Sequence, residues 1–413
     1  MTAENESGRE FDIIVQGATG FTGTLVAEYL LRQYGVEGEL RWALAGRSET
    51  KLIEVRDGLG AAASQIDLII ADSFDQDALQ ALASRTRVVL TTVGPYALYG
   101  SALVAACVNA GTHYCDLAGE VQWIQKMIDK HHARAIETGA KIVHCCGFDS
   151  VPMDIGVWFL QDAAKEKFGA YCESISMLVN ATKGSASGGT LASMMNLIKE
   201  SRQDREIARA LIHPYSLNPD GERDGPDGRD QQKVMYREDV RSWTAPFVMA
   251  GVNTKVVRRS HALAGFPYGR NFRYDESVRT GRGFVGWLKG MLMTLTLGAI
   301  VFLASFAPTR NMLQRFVLAK PGEGPDRKLQ QEGFFNLMQI GKLPDGTQIR
   351  GRITGDQDPG YGSTSKMLSE CAVCLAKDEL ATGGGSWTPA AVMAGSLILR
   401  LRENAGLTFE LSE

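Results

Sequence analysis

Residues 11–23 read FDIIVQGATGFTG, a short apolar run that is followed at once by three spaced glycines. The run FDIIVQ has the composition of a buried strand in a parallel sheet. Gly17, Gly20 and Gly23 stand at GxxGxxG spacing before a helix predicted over residues 22–33. The first glycine permits a tight turn, the second lets backbone N–H groups approach a pyrophosphate, and the third lets helix and strand pack closely. The stretch therefore predicts a phosphate-binding turn at a helix N-terminus.

Apolar runs and amphipathic segments continue to alternate up to residue 156. The pattern predicts further strands at residues 41–45, 67–71, 88–93, 112–116 and 141–145, with helices over 76–84, 101–110 and 121–138. This alternation is typical of right-handed βαβ units, so we expect an α/β protein with a doubly wound parallel sheet, a Rossmann domain, over residues 11–156. Residues 1–10 are polar and are expected to be disordered.

The regular alternation of predicted strands and helices ends after residue 156. A second α/β domain with a mixed sheet is expected over residues 157–360. The pattern predicts strands at residues 174–180, 248–259 and 333–354, and a helix over 190–201. Residues 213–232 are rich in Pro, Gly and Asp and are expected to form a mobile loop. Helices over 363–375 and 389–403, in a C-terminal segment spanning 361–413, are expected to pack back onto the fold.

The composition limits the classes of protein to which this chain can belong. The chain has 413 residues, 44% of them hydrophobic, which is enough for two packed cores. Its net charge of −3 argues against a nucleic-acid partner. Seven scattered cysteines indicate reduced thiols and a cytoplasmic setting, and the polar N-terminus lacks a secretory signal. Cys371 and Cys374 form a lone pair, so no metal site is expected, and His113 and His144 are expected to be core residues.

The end of the second predicted strand indicates the cofactor. NAD-binding proteins usually place Asp or Glu there to accept from the ribose 2′-OH, whereas a 2′-phosphate needs a cation. Here the position holds Arg47, beside Ser48 and Lys51, which predicts NADP(H). An exposed arginine at a helix start is the alternative, and Asp72 either meets the adenine or caps a helix. The predicted cofactor-binding residues are Gly17, Ala18, Thr19, Gly20, Phe21, Thr22, Gly23, Gly46, Arg47, Ser48, Lys51, Asp72, Gly94, Pro95 and Tyr96.

Six motifs together resemble one oxidoreductase group. In chain order they are GATGFTG, WALAGRS, VGPYALYG, CDLAGE, GFDSVPMDIG and GGGSWTPAA. They resemble the saccharopine dehydrogenase-like oxidoreductases, and within these the trans-acting enoyl reductase subfamily, over roughly residues 10 to 410. The resemblance implies an NADP-binding Rossmann domain, an α/β second domain and an NADPH-dependent reductase of lipid, polyketide or other apolar acyl substrates, free or bound to an acyl carrier. A ketone or imine reductase, and a non-catalytic NADP-binding membrane adaptor, are the alternatives.

Enoyl reduction needs a hydride at the β-carbon, a proton at the α-carbon and polarisation of the carbonyl. Tyr96 and Tyr99 are candidate carbonyl donors or rings packed over the nicotinamide. Asp149, next to Ser150, is a candidate for contact with the nicotinamide ribose or for helix capping. Further candidates are Asp116 and Glu120, which orient a proton donor or cap the helix from Val121, and Lys183, a polarising cation.

Residues 290–307 carry no charge over 18 positions and are bounded by Lys289 and Arg310. A helix of this length just spans a bilayer core. Three interpretations remain open: a transmembrane helix, a buried core or homodimer helix, and a monotopic helix that docks on one leaflet and helps a lipid substrate enter. The monotopic interpretation places the protein at the inner face of the plasma membrane.

Overall fold

The computed structural model describes residues 8–184, 188–316 and 324–412, and these form two seven-stranded sheets covered by helices. The first sheet is wholly parallel and has the order β13-β6-β5-β4-β1-β2-β3. Its strands are β1 (Phe11–Gln16), β2 (Trp42–Gly46), β3 (Asp67–Ile70), β4 (Thr86–Thr91), β5 (His113–Asp116), β6 (Lys141–Val143) and β13 (Gly385–Trp387). This is the predicted Rossmann sheet, and it is completed by a strand from near the C-terminus.

Helices cover both faces of the first sheet because β1 is buried on both sides. Ile13 packs on the face that includes Leu30, whereas Ile14 packs on the opposite face with Leu79 and Val104. The helices of this part are α1 (Phe21–Tyr34), α2 (Glu49–Gly58), α3 (Gln76–Ser84), α4 (Tyr96–Tyr99), α5 (Ser101–Ala110) and α6 (Val121–Thr138), with a 3₁₀ turn at Ala61–Ala63.

The second sheet is mixed, as predicted, and has the order β14-β12-β11-β7-β10-β9-β8. Only β7 and β10 pair in parallel; the other neighbours are antiparallel. Its strands are β7 (Ser174–Lys183), β8 (Met235–Arg237), β9 (Ser242–Pro246), β10 (Arg273–Gly281), β11 (Phe334–Lys342), β12 (Gln348–Gly355) and β14 (Leu407–Ser412).

The remaining helices connect the strands of the second sheet to one another, except α7, α14 and α15, which connect the two sheets. They are α7 (Val151–Phe168), α8 (Gly188–Gln203), α9 (Arg205–Ile212), α10 (Ala250–Leu263), α11 (Gly283–Ala304), α12 (Ala307–Phe316), α13 (Arg327–Glu332), α14 (Gly362–Lys377) and α15 (Pro389–Glu403). The expected boundary after residue 156 lies inside α7, where a Cβ on Gly156 would stand 2.3 Å from Ile353 of the second sheet. The C-terminal helices do return to the fold: Glu370 of α14 accepts a hydrogen bond of 2.6 Å from Tyr29 of α1.

Two expectations about local structure need correction. Residues 248–259 were expected to be a strand but belong mostly to α10, whose buried polar side chains disguise the helical pattern. Residues 213–232 form a loop, as expected, but the loop is packed against the protein, because Asp227 pairs with the buried Arg258 at 2.7 Å and Tyr215 accepts from the Asp227 N–H. In both cases distant polar partners replace the apolar burial that sequence patterns detect.

The expected disorder over residues 1–10 falls mainly on residues 1–7, which lie outside the described residues. Arg9 is held in place, since its guanidinium donates to the carbonyl oxygens of Ala83 and Thr86. Glu10 pairs with Arg85 at 2.7 Å. The ordered chain therefore includes Arg9 and Glu10, ahead of β1.

Candidate functional site

The glycine turn between β1 and α1 forms a cradle of backbone N–H groups. Gly17 has φ +89°, and a Cβ there would stand 2.6 Å from Val93. A Cβ on Gly23 would stand 2.2 Å from the carbonyl oxygen of Gly17, whereas one on Gly20 would meet only that oxygen, at 3.3 Å, and otherwise face open space. No side chain caps the N-terminus of α1. The turn thus leaves room and free donors for a diphosphate.

The flanking residues of the turn brace it. Ala18 is buried, and its N–H donates to the carbonyl oxygen of Ala45 at 3.2 Å. Thr19 lies near Gly46 of β2, while Phe21 and Thr22 begin α1. The turn is therefore fixed to β2, the strand whose end is expected to select the cofactor.

The end of β2 presents cations to solvent. Arg47 is exposed and, within the part of the chain that the structure describes, makes no hydrogen bond or ion pair. Ser48 begins α2, its hydroxyl oxygen accepting from the Lys51 N–H at 3.4 Å. The Lys51 side chain is likewise exposed. Two uncommitted cations beside the phosphate cradle fit a ribose 2′-phosphate.

Tyr99 lies close to the loop that follows β3. Its ring meets the exposed ring of Phe74 edge to face, with 5.7 Å between centroids. Asp72, at the end of β3, accepts from the Phe74 N–H at 2.9 Å and so fixes this turn rather than capping α3, whose N-cap is Asp75. In doubly wound folds the end of β2 faces the adenosine ribose, so Tyr99 is expected at the adenine half of a bound dinucleotide. The structure does not support Tyr99 as a donor to a substrate carbonyl.

Tyr96 is a packing residue. It follows Gly94 and Pro95 after β4, and its ring stacks on Trp123 with 5.6 Å between centroids. Its hydroxyl donates to the Thr91 carbonyl at 3.2 Å and accepts from the Leu117 N–H at 3.1 Å, and burial raises the pKa of Tyr96. Both hydrogen-bonding capacities of the phenol are thus used inside the protein. The described contacts therefore do not support Tyr96 as a donor to a substrate carbonyl, and its ring packs on Trp123 inside the protein.

Glu120 connects helix α4 to helix α8 through hydrogen bonds. Its carboxylate accepts from the N–H groups of Tyr96 and Ala97, at 2.7 and 3.0 Å, and from the Ser193 hydroxyl at 2.7 Å. It therefore caps α4, not α6 as one alternative expected. Burial raises the pKa of Glu120. Ser193 lies on α8, so this bond anchors α8 over the carboxyl end of the parallel sheet.

Asp116, at the end of β5, fixes the loop after β6. One carboxylate oxygen accepts from the N–H groups of Ala118 and Cys145, and the other binds the Tyr114 hydroxyl and His144 Nδ1, the last at 2.7 Å. Cys145 has φ +65°, a strained conformation for a residue with a side chain. Asp116 thus fixes the segment that carries Asp149.

Asp149 occupies that segment, between β6 and α7, and its carboxyl group is uncommitted. It is partly exposed and has no hydrogen-bond or ion-pair partner among the described residues. Burial raises the pKa of Asp149 to about 6. Capping was the alternative for this pair, but the Ser150 hydroxyl donates to Asn253 Oδ1 at 3.2 Å instead. Asp149 is therefore available to exchange a proton near neutral pH.

A buried network of hydrogen bonds connects this segment to the second sheet. Asn253 donates to Glu276 at 3.0 Å, and the Tyr274 hydroxyl donates to the other oxygen of Glu276 at 2.9 Å. Burial raises the pKa of Glu276 to about 8. The loop bearing Asp149 is thus linked through Ser150 and Asn253 to a carboxyl group that holds its proton at neutral pH.

The raised pKa of Glu276 predicts a pH-dependent stability. The unfolded chain releases this proton near pH 4.5 and the folded protein near pH 8, so the free energy of unfolding falls as pH rises between these values, by about 1.4 kcal/mol per pH unit for this group. Glu276→Gln removes the titration, and we expect a shallower decline in urea unfolding free energy between pH 6 and pH 8. Parallel curves for the variant and the wild type would contradict this assignment.

The start of α8 lies close to the phosphate turn. Tyr361 meets Phe21 of α1 edge to face, at 4.8 Å between centroids, and its hydroxyl accepts from the Gly188 N–H at 2.8 Å. The helix α8 therefore extends from near the phosphate turn to Glu120, across the carboxyl end of the parallel sheet, where a ligand is expected. Sequence patterns missed Tyr361 and Ser193, because their partners lie far away along the chain and leave no local signal.

Other candidates lie outside the crevice. Lys183 pairs with Glu332 at 2.8 Å, and both side chains are exposed, so its predicted role as a polarising cation is wrong. His113 is a core residue, as predicted: its Nδ1 accepts from the Lys141 N–H, and burial lowers the pKa of His113 to about 3. Cys371 and Cys374 are buried on α14.

The glycine cradle, the cations at the end of β2 and the doubly wound sheet together define an NADP-dependent oxidoreductase. In agreement, residues 13–143 match the model of the saccharopine dehydrogenase NADP binding domain. A protein from Mycobacterium tuberculosis is 41% identical over 407 residues, covering 95% of this chain and 96% of the relative. A second, named trans-acting enoyl reductase, is 38% identical with the same coverage. The chain belongs to the trans-acting enoyl reductase family.

The fold also has a counterpart of known structure. Apo saccharopine dehydrogenase (L-Glu forming) from Saccharomyces cerevisiae aligns over 98% of this chain and 100% of its own, with a TM-score of 0.53 and 9% sequence identity. At this identity the likeness concerns the fold alone. It supports the arrangement of a Rossmann sheet with a second, mixed sheet.

Arg47 is expected to set the preference for NADPH over NADH. Arg47→Asp replaces the phosphate partner with an acceptor for a ribose 2′-OH, and we expect the ratio of NADPH to NADH affinity to fall by about tenfold or more. Titration of both nucleotides against intrinsic fluorescence measures the ratio. Arg56→Asp is the control, since Arg56 lies farther along α2 and pairs with Asp57. An unchanged ratio for Arg47→Asp would refute the assignment.

Proposed function

We propose that this protein reduces the carbon–carbon double bond of an apolar α,β-unsaturated acyl group that a separate synthase presents on a carrier. The names of the relatives support the reaction and its action in trans. The observation that carries the proposal is Asp149, an unpaired carboxyl group with a pKa of about 6 at the carboxyl end of β6. Ligands of doubly wound sheets bind at this edge.

The cofactor fits the residues present, since the glycine cradle leaves space and donors for its diphosphate and Arg47 and Lys51 suit its 2′-phosphate. Bound NADPH supplies a hydride for the β-carbon. Asp149 in its protonated form donates a proton to the α-carbon and then recovers a proton from solvent. Asp116 holds the loop of Asp149 in place through Cys145 and His144. Helix α8 shields the crevice from water.

Apolar side chains of α8 support an apolar substrate. Helix α8 carries Leu191, Met194 and Leu197, all partly exposed. Leu197 lies on the helix face of Ser193 and Glu200, which contact Glu120 in the loop after β5 and Gln122 of α6. Apolar groups at this position favour an acyl chain over a charged amino acid.

Product analysis tests the proposal. The purified protein is incubated with NADPH, deuterated at the transferred position, and a long-chain 2-enoyl thioester of pantetheine. We expect NADPH oxidation and a saturated product with one deuterium at the β-carbon. A matched 3-ketoacyl thioester is the control. Oxidation with the ketone only would replace the proposal with a ketone reductase, and tight NADPH binding without oxidation by either would favour a nucleotide-binding adaptor.

A further inference from the structure

Helix α11 exposes a continuous apolar stripe. Its outward residues Phe284, Leu288, Leu292, Leu295 and Phe302 are 51 to 70% exposed and recur at the spacing of one helix face. Gly286, Gly290 and Ala304 are buried on the opposite face. Among the described residues, α11 is the one helix long and apolar enough to cross a membrane, yet only 11% of that window is buried. The expectation of a buried core helix is therefore wrong for the single chain.

The topology argues against a crossing of the membrane. Strand β10 precedes α11 and β11 follows it, and both pair with β7. The helix is also fixed to the protein at two points: Gly290, in its N-terminal half, packs against Val234, and the Arg202 guanidinium donates to the Ser305 carbonyl just after the helix. The two ends thus stay on one side, and only the outer face of α11 is free.

Along the chain, the charges that flank the stripe are of one sign. Between Glu276 and Glu323 the chain has no Asp or Glu, whereas it has six cations: Arg279, Arg282, Lys289, Arg310, Arg315 and Lys320. Arg282 and Lys289 are exposed at the N-terminal half of the stripe. An apolar face bordered by cations complements anionic lipid headgroups over an acyl layer. It is less suited to a second copy, because a symmetric contact would bring the same cations together.

We propose that α11 docks side-on into one leaflet of an anionic phospholipid bilayer. The exposed side chains enter the acyl boundary, while Arg282 and Lys289 meet the headgroups. Arg202 lies at the end of α8 and also stacks over the Phe306 ring at 5.2 Å. Docking therefore holds the crevice beneath α8 close to the lipid surface, which is a route for the apolar substrate; this last step rests on the proposed function.

Vesicle flotation of the full chain tests the docking. Wild-type protein is expected to float with vesicles of phosphatidylcholine and phosphatidylglycerol, less with phosphatidylcholine alone, and less as salt rises. Leu292→Glu with Leu295→Glu is expected to bind about tenfold more weakly or worse. Ile136→Glu with Leu399→Glu is the matched control, since it adds the same charges at exposed apolar positions of α6 and α15.

A second pair, Arg282→Gln with Lys289→Gln, is expected to lose the preference for phosphatidylglycerol. NADPH titration of every variant reports whether the fold is intact. Because flotation requires no turnover, it tests the docking separately from the proposed function. Wild-type protein that does not float would overturn the proposal, as would equal flotation of the stripe variant and its control. A dimer that the stripe substitutions dissociate, without vesicle binding, would assign the stripe to a second copy instead.

Discussion

Asp149→Asn is expected to lower kcat for enoyl reduction by about a hundredfold or more, since loss of a positioned proton donor has effects of this size. The amide cannot supply the proton, yet it matches the carboxyl group in shape. We therefore expect NADPH affinity to remain within about twofold of the wild type. Stopped-flow oxidation of NADPH separates the two quantities.

The pH dependence provides an independent check on Asp149. Its pKa of about 6 predicts that wild-type kcat falls as pH rises above 6, because the donor loses its proton, whereas the residual rate of Asp149→Asn should lack this decline. Asp162→Asn, at an exposed position of α7, is the control. Turnover by Asp149→Asn at the wild-type rate would exclude the residue as proton donor.

Gly23→Ala is expected to have the second largest effect, a loss of NADPH affinity of about a hundredfold or more. A Cβ at this position would stand 2.2 Å from the Gly17 carbonyl oxygen and 2.8 Å from Ala18 Cα. Both contacts are with backbone, so α1 must shift away from β1 and carry its N–H groups out of the cradle. Such overpacking also costs about 1–3 kcal/mol of stability.

Isothermal titration with NADPH measures this loss, and thermal unfolding reports the stability. Gly58→Ala is the matched control, because a Cβ there would meet nothing within 4 Å at the end of α2. Affinity close to that of the wild type in Gly23→Ala would show that the cradle does not hold the cofactor.

The parallel sheet was predictable because its determinants are local. Strands such as FDIIVQ are uninterrupted apolar runs, and the glycines follow directly, so short windows carry the signal. Helix α10 was not predictable in this way, since its buried Asn253, Arg258 and Arg259 have partners on other elements. Buried polar groups of this kind become intelligible only once the tertiary contacts are known.

The candidate site likewise has features with local sequence determinants and features that depend on tertiary contacts. The glycine turn could be predicted from the sequence, since each glycine has a backbone reason that repeats across dinucleotide-binding turns. The roles of Tyr96, Glu120 and Asp149 were not, because they depend on which polar group is already bonded. Tyr96 uses its hydroxyl internally, whereas Asp149 has no partner among the described residues. That difference between a bonded and an unbonded polar group leaves no trace in the sequence.

Strand β13 has a consequence for the order in which the protein is made. It pairs with β6, although about 240 residues separate them in the chain. The ribosome must therefore release residue 387 before the cofactor-binding sheet acquires its last strand, and until then β6 presents an unpaired edge. Contacts of such long sequence separation slow folding and extend the time during which that edge is open to wrong partners. Nascent chains of this protein are thus expected to depend on chaperones until synthesis is nearly finished.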